Sequence, residues 1–427
     1  MYRNLAPIAW AILALAGCPA AAQTNTPALQ TPARQAAALT LAEAMQQARQ
    51  TNPELSAARH ELKAAEGARV QAGALPNPTL EAQWEDQRRE TRTTTLTLSQ
   101  PIELGGKRGA RIEAAERAID IARSQLDARQ TDLEASVTSA FFAALVAQER
   151  LTLAQASLDL AQRGRDAASK RVTAGKVSPV EETKARVAEA GVRLERVQAQ
   201  GELRTALSQL RAAIGPGPEI GQVDGNALNV PALPSAEDVS SRLDAAPAIR
   251  EARLDVRRLR ALAELERAKR IPDVTLTVGA KREQELARNQ AVVGISIPLP
   301  IFDTNQGNLQ EALRRQDKAE DLAQATELRV RSEATAARQR FETALAEVNT
   351  LRDEVLPGAK SAFDAATKGF ELGKFSYLEA LDAQRTLLQS RSQYLRALAQ
   401  AHQAAADLQR LLGAPGTPPS TLSKERP

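Results

Sequence analysis

Between Lys107 and Val172 the chain has no proline, and only Gly109 and Gly164 stand inside the run as weak helix breakers. Small and aliphatic residues recur there at alternating spacings of four and three: Leu133, Val137, Ala140, Ala144, Ala147, Leu151, Ala154, Leu158 and Ala161. That is a heptad seam, and it predicts one continuous helix with a coiled-coil face. About 65 residues at 1.5 Å each make a rod of ~100 Å. Such a rod exceeds what a compact domain can enclose, so the rest of the chain must explain what it spans.

Composition argues against thick globular cores beside the rod. Of 427 residues 43% are apolar, but only 3% are aromatic, and alanine makes up much of the apolar share. Alanine buries little area, which suits thin, closely packed helix pairs better than a wide core. Lys and Arg number 56 against 52 Asp and Glu, and the signs alternate along the helical stretches. A net charge of +4 spread this way describes solvated helix faces and excludes a nucleic-acid groove.

The N-terminus reads as an export signal spanning 1–22, with Arg3 followed by an apolar run from Leu5 to Gly17 that is too short to cross a membrane. Two processing sites compete. Leu15-Ala16-Gly17-Cys18 fits a lipoprotein signal, which would end at 17 and make Cys18 a lipidated first residue. Ala20-Ala21-Ala22 fits ordinary cleavage. Cys18 is the sole cysteine, which excludes an internal disulfide.

The mature chain repeats itself. Pro53 matches Pro247 and Pro78 matches Pro272, each at an offset of 194. Gly175 matches Gly373 and Gly215 matches Gly413, each at 198. A near-constant offset means a tandem duplication. After an extension over 23–38, repeat 1 spans 39–214: a helix from Leu39 to Ala72, a strand pair over 79–100, the rod, a tip at 173–179 and a return helix. A Gly- and Pro-rich linker covers 215–238. Repeat 2 spans 239–413, with a helix from Val239 to Arg270, strands over 273–298, a rod from Gln306 to Lys368, a tip at 369–376 and a helix from Tyr377 to Leu412. A tail occupies 414–427. Pro357-Gly358 is expected to kink the second rod, and Asp303, Thr304 and Asn305 to cap its start. Each rod is about as long as two shorter helices, so a return helix and an opening helix are expected to lie end to end beside it, with the linker and the termini meeting midway.

The strand segments point to a membrane. Leu80, Ala82 and Trp84 alternate with Glu81, Gln83 and Glu85, and Val274, Leu276 and Val278 alternate with Thr275, Thr277 and Gly279. The same period of two governs Leu96 and Leu98, and Val293, Ile295 and Ile297. A soluble half-buried sheet would also alternate. Four strands without other partners leave open edges, however, and single-chain outer-membrane barrels begin at eight strands. Several chains must therefore pool their strands.

On Ala74-Leu75-Pro76-Asn77-Pro78, on Ser99-Gln100-Pro101-Ile102-Glu103-Leu104-Gly105-Gly106-Lys107-Arg108 and on the run from Ile297 to Asn308, the chain resembles the TolC-type outer-membrane efflux channel family. Within it the chain is most similar to the CzcC-type outer-membrane subunit of heavy-metal efflux systems. The resemblance implies a mainly α fold with a β-barrel. Long antiparallel coiled-coil helices would form a periplasmic tunnel, and four strands per chain would enter a twelve-stranded homotrimeric barrel in outer-membrane lipid. It also implies two partners, a periplasmic adaptor (membrane fusion) protein and an inner-membrane RND pump.

The same resemblance makes Glu379 and Asp382, three residues apart after the second tip, the candidates for an acidic pore gate. Threefold symmetry would turn them into carboxylate rings that concentrate cations. Glycines reverse the chain at both tips, and Arg171, Gly175, Lys176, Ser178, Gly373, Lys374 and Ser376 form the expected adaptor-docking surface. No catalytic signature is present, and His60, His402, two methionines and one cysteine make no ligand cluster, each histidine reading as a helix-surface residue. No cofactor and no resident metal are expected. The predicted function is a passive exit duct for divalent heavy-metal cations. The same channel serving drugs or a secreted protein, or a periplasmic coiled-coil scaffold without a barrel, are the alternatives.

Overall fold

The computed structural model describes residues 38–372 and 374–413. The signal segment, Cys18, most of the 23–38 extension, Gly373 and the tail from 414 lie outside the described residues. The heptad run folds into a single helix, α3 (Lys107–Thr173). Every seam residue from Leu133 to Ala161 is buried or half-buried. Ser178 caps α4 (Pro179–Ile214) by accepting from the Val180 amide, and Pro179 opens it where a missing N–H costs nothing.

The opening segment of each repeat is broken, where the sequence predicts one helix from Leu39 to Ala72 and one from Val239 to Arg270. In repeat 1 a two-residue strand, β1 (Leu39–Thr40), leads into α1 (Leu41–Thr51) and α2 (Pro53–Ala72). The break has a local cause. Asn52 leaves the helical region, and its carboxamide oxygen accepts from the Glu54 and Leu55 amides ahead of Pro53. Repeat 2 also divides before a proline, at Ala246-Pro247, into α5 (Ala236–Leu243) and α6 (Pro247–Ala268), without a side-chain cap at Ala246. The linker is also more than loop. Its β4 (Val223–Asp224) pairs in parallel with β1, and the Ala213 carbonyl accepts from Asn52.

The second rod runs as α7 (Gln306–Thr350), a π-helical turn over Leu351–Val355, and α8 (Leu356–Glu371), then reverses into α9 (Tyr377–Leu412). Pro357 cannot donate to the carbonyl four residues back, and its ring crowds that carbonyl. The ladder widens just before it, so that the Leu356 amide reaches Leu351 instead. The start of α7 differs from the expected cap. Asn305 adopts φ 58° and makes no side-chain cap, its Nδ2 donating to the Glu266 carbonyl at 2.9 Å and to the Glu266 carboxylate at 2.8 Å.

Along α3, α4 packs toward the tip while α2 and α6 pack toward the strands, and α6 lies between α3 and α7. The main core sits where the short elements meet. Ala44, Leu55, Val137, Phe141, Leu145, Leu210, Ile214, Val223 and Leu398 are buried together there, from α1, α2, α3, α4, β4 and α9. Both described chain ends arrive at this waist, β1 on β4 and the Gly413 carbonyl accepting from Arg242 at 2.5 Å.

Candidate functional site

Four strands, β2 (Thr79–Glu85), β3 (Thr93–Ile102), β5 (Val274–Glu283) and β6 (Arg288–Ser296), form one antiparallel sheet in the order β2-β3-β5-β6. Register sorts its two faces. Leu80, Leu98, Val278 and Val293 stand in one row across all four strands, beside the row Thr79, Ser99, Thr277 and Gly294. The Ser99 and Thr277 hydroxyls are 3.0 Å apart. On the apolar face Leu80 is 67% exposed, Trp84 65% and Val293 80%. A sheet in water covers such a face; an outer-membrane sheet shows it to lipid. Gly279 is obligatory on the other face, because a Cβ there would come within 2.4 Å of the Leu96 carbonyl. Among the described residues no helix is long and apolar enough to cross a membrane.

Where sheet becomes rod, charged groups join the repeats. Lys107 Nζ meets Asp273 at 2.7 Å, and the Leu104 amide donates to the same carboxylate at 3.0 Å. Burial raises the Asp273 pKa, but these bonds more than offset it, and the net shift is downward. Arg111 grips Glu103 with both terminal nitrogens, and its hydrogen bond holds that carboxyl below the ordinary range. Both groups are stabilising above the usual carboxylate pKa, about 4, and that contribution is lost as pH falls through their lower folded values. Gly105, at φ +70°, lets the chain turn tightly here. A side chain there would meet Ile271 Cβ at 2.8 Å.

At the other end the two tips touch. The Arg171 guanidinium lies 4.0 Å from the centre of the Phe370 ring. Gly175 takes φ +68°, the Lys176 amide donates to the Arg171 carbonyl at 2.9 Å, and the Lys374 amide to the Gly369 carbonyl at 2.8 Å. Ser178 and Ser376 are the caps of the return helices. Glu379 and Asp382 are both exposed at the start of α9. Glu379 already has a structural task, since its carboxylate accepts from the Ser376 amide at 2.7 Å and closes a capping box. The Ser-x-x-Glu spacing carries that signal in the sequence. Above the tips a groove of about 1050 Å³ follows α3 between α4 and α9, with Leu153, Val187, Leu381 and Leu388 in its walls and Arg385 at its rim.

His402 departs from its sequence reading as a surface residue. It is 2% exposed, stacks on Phe142 at 3.6 Å and hydrogen-bonds the Ala227 carbonyl at 2.8 Å, tying α9 and α3 to the linker. Burial pushes its imidazole pKa down. His60 is exposed on α2, and among the described residues no group of three or more His, Cys, Asp or Glu is placed to hold a metal ion.

Residues 44–216 and 239–414 each match the family model described as outer membrane efflux protein. The cobalt-zinc-cadmium resistance protein CzcC of Cupriavidus metallidurans is 45% identical over 97% of this chain and 100% of its own length. The nickel and cobalt resistance protein CnrC of the same organism is 29% identical over 69% of this chain and 71% of its own. The crystal structure of CusC, solved in a study of folding and transmembrane channel formation, superposes with a TM-score of 0.75 at 21% identity, covering 88% of this chain and 92% of that one.

Proposed function

Because the chain belongs to the outer membrane efflux protein family, we propose that it is the exit duct of a tripartite efflux system and carries divalent heavy-metal cations out of the cell. It works in the outer membrane and reaches into the periplasm. One observation carries the duct: a four-stranded sheet with two free edges and one solvent-exposed apolar face stands on helical rods. Three copies would pool twelve strands and close a barrel. A periplasmic scaffold has no use for that face. The cargo rests on the relatives, since a protein that aligns with this one along its whole length is a cobalt-zinc-cadmium resistance protein.

Energy comes from an inner-membrane pump reached through a periplasmic adaptor, which meets the tips around Arg171, Gly175, Lys176, Ser178, Lys374 and Ser376; Gly373, in the same reading, lies outside the described residues. Glu379 and Asp382 form acidic rings at the periplasmic mouth. Asp382 is the freer of the two, because Glu379 shares its carboxylate with the cap.

One complementation panel tests all of this in a strain deleted for the chain. The deletion is expected to become sensitive to cobalt, zinc and cadmium salts and to be rescued by the wild type. Lys176→Glu with Lys374→Glu should rescue poorly and lose adaptor on co-purification. Glu379→Ala with Asp382→Ala should rescue but leak, with higher conductance and weaker block by multivalent cations. Unchanged metal tolerance in the deletion would remove the metal cargo and favour drugs or a secreted protein.

A further inference from the structure

The sheet ends on two open edges, β2 and β6, and the tandem repeat specifies how they meet. Two offsets relate the repeats near the strands. Pro78 and Pro272 set 194 between β2 and β5. Pro101 and Pro300, and the left-handed pair Gly106 (φ 72°) and Asn305 (φ 58°) just before each rod, set 199 between β3 and β6. Hairpin register checks both. Ala82 faces Leu96 in the first hairpin; the offsets turn this into Leu276 facing Ile295, which is the observed pair in the second.

Within the chain, repeat 1 joins repeat 2 by β3 pairing with β5, Leu98 opposite Val278, Gln100 opposite Leu276 and Ile102 opposite Val274. We propose that repeat 2 of one copy joins repeat 1 of the next in the same way, with Ile297 opposite Trp84 of the next copy, Leu299 opposite Ala82 and Ile301 opposite Leu80. This rests on the pooled barrel proposed above and adds its register.

Three features beyond the repeat favour this docking. Residues directly opposite in a ladder share a face, and Trp84, Ala82 and Leu80 lie on the same apolar face as Val293 and Ile295. A register shifted by one residue would put the polar face of β2, Thr79, Glu81, Gln83 and Glu85, opposite these positions. Second, β3 stays paired through Ile102, whereas β6 stops at Ser296, five residues before the equivalent Ile301. The unpaired stretch is apolar and open, with Leu299 75% and Ile301 72% exposed. Pro300 is no obstacle there, since its counterpart Pro101 sits inside the β3–β5 ladder. Third, the helices below the two edges leave apolar groups uncovered, Val70 and Leu75 on the α2 side and Leu322 and Leu328 on α7.

The equivalence also predicts the chemistry of the seam. Lys107 and Asp273, ion-paired inside the chain, correspond to Gln306 and to Thr79 of the next copy. The ion pair at the seam inside each copy thus has a neutral counterpart at the seam between copies.

Cysteine cross-linking of the full-length protein in membranes tests the register. Directly opposite Cβ atoms lie ~4.5–5.5 Å apart and diagonal ones ~7 Å, against about 3.5–4.5 Å in a disulfide. Trp84→Cys with Ile297→Cys, and separately Leu80→Cys with Ile301→Cys, should give covalent dimers and trimers on oxidation. Trp84→Cys with Ile295→Cys should give at least tenfold less, and each single variant, which also reports on Cys18, none. All these positions are exposed in the single chain, so the substitutions leave its packing intact. Preferential cross-linking of the displaced pair, or of no pair, in a protein whose native mass is still three chains would overturn the register and leave the barrel standing. A native mass of one chain would overturn both.

Discussion

Leu98→Arg is expected to strip the protein from the outer membrane, while Thr97→Arg, one residue away, leaves it there. The two neighbours lie on opposite faces of β3. Leu98 sits mid-strand in the row with Leu80, Val278 and Val293, and Thr97 faces Glu81 and Gly279. An arginine held against the hydrocarbon midplane of a barrel costs about 2–4 kcal/mol per chain, and the cost recurs in every copy of the assembly. The same side chain turned into a wet lumen is solvated, and the bare Gly279 opposite leaves it room. Heat-modifiable oligomer in outer-membrane fractions measures the difference: near background for Leu98→Arg, near wild type with altered conductance for Thr97→Arg. Equal loss from both would mean that the apolar face does not meet lipid.

The second large effect belongs to the waist. Phe141→Ala should lower the unfolding free energy by about 3–5 kcal/mol, the usual cost of truncating a buried phenylalanine. Phe141 is 1% exposed and meets Phe142 edge to face at 5.7 Å; Phe142 in turn stacks on His402. Its ring also lies 3.3 Å from where a Cβ on Gly225 would stand, so the linker closes directly over it. The lost contacts belong to the core where α3, α9 and β4 pack together. Val187→Ala, at a site 67% exposed in the groove wall, is the control and should change stability by less than about 0.5 kcal/mol. Denaturant midpoints of the purified protein in detergent report both.

The rods and the strand faces were legible in the sequence because each rests on a period. A heptad fixes which side of α3 is buried, and an alternation of two fixes which side of β3 meets lipid. Features that arise only from tertiary contact were not. His402 has an ordinary helical neighbourhood, and its burial depends on Phe142 and on the linker carbonyl of Ala227, both distant in sequence. The β1–β4 pair is two residues long, too short to leave a pattern. The breaks at Asn52-Pro53 and Ala246-Pro247 were readable: the same Pro residues used to align the repeats are residues that open helices. Asn305 departs from the expected cap for a physical reason. Polar residues before a helix usually cap it, but this one occupies the left-handed position that glycine fills in repeat 1 and turns its carboxamide to Glu266. At the second tip the Ser-x-x-Glu spacing of Ser376 and Glu379 is itself the signal of the capping box that opens α9.

Conductance of the purified mature protein in a planar lipid bilayer tests the central claim most directly. Discrete current steps with a reversal potential displaced toward cations in a salt gradient, from a particle whose native mass is three chains, are the predicted result. A monomeric, water-soluble particle that leaves the bilayer silent would contradict it.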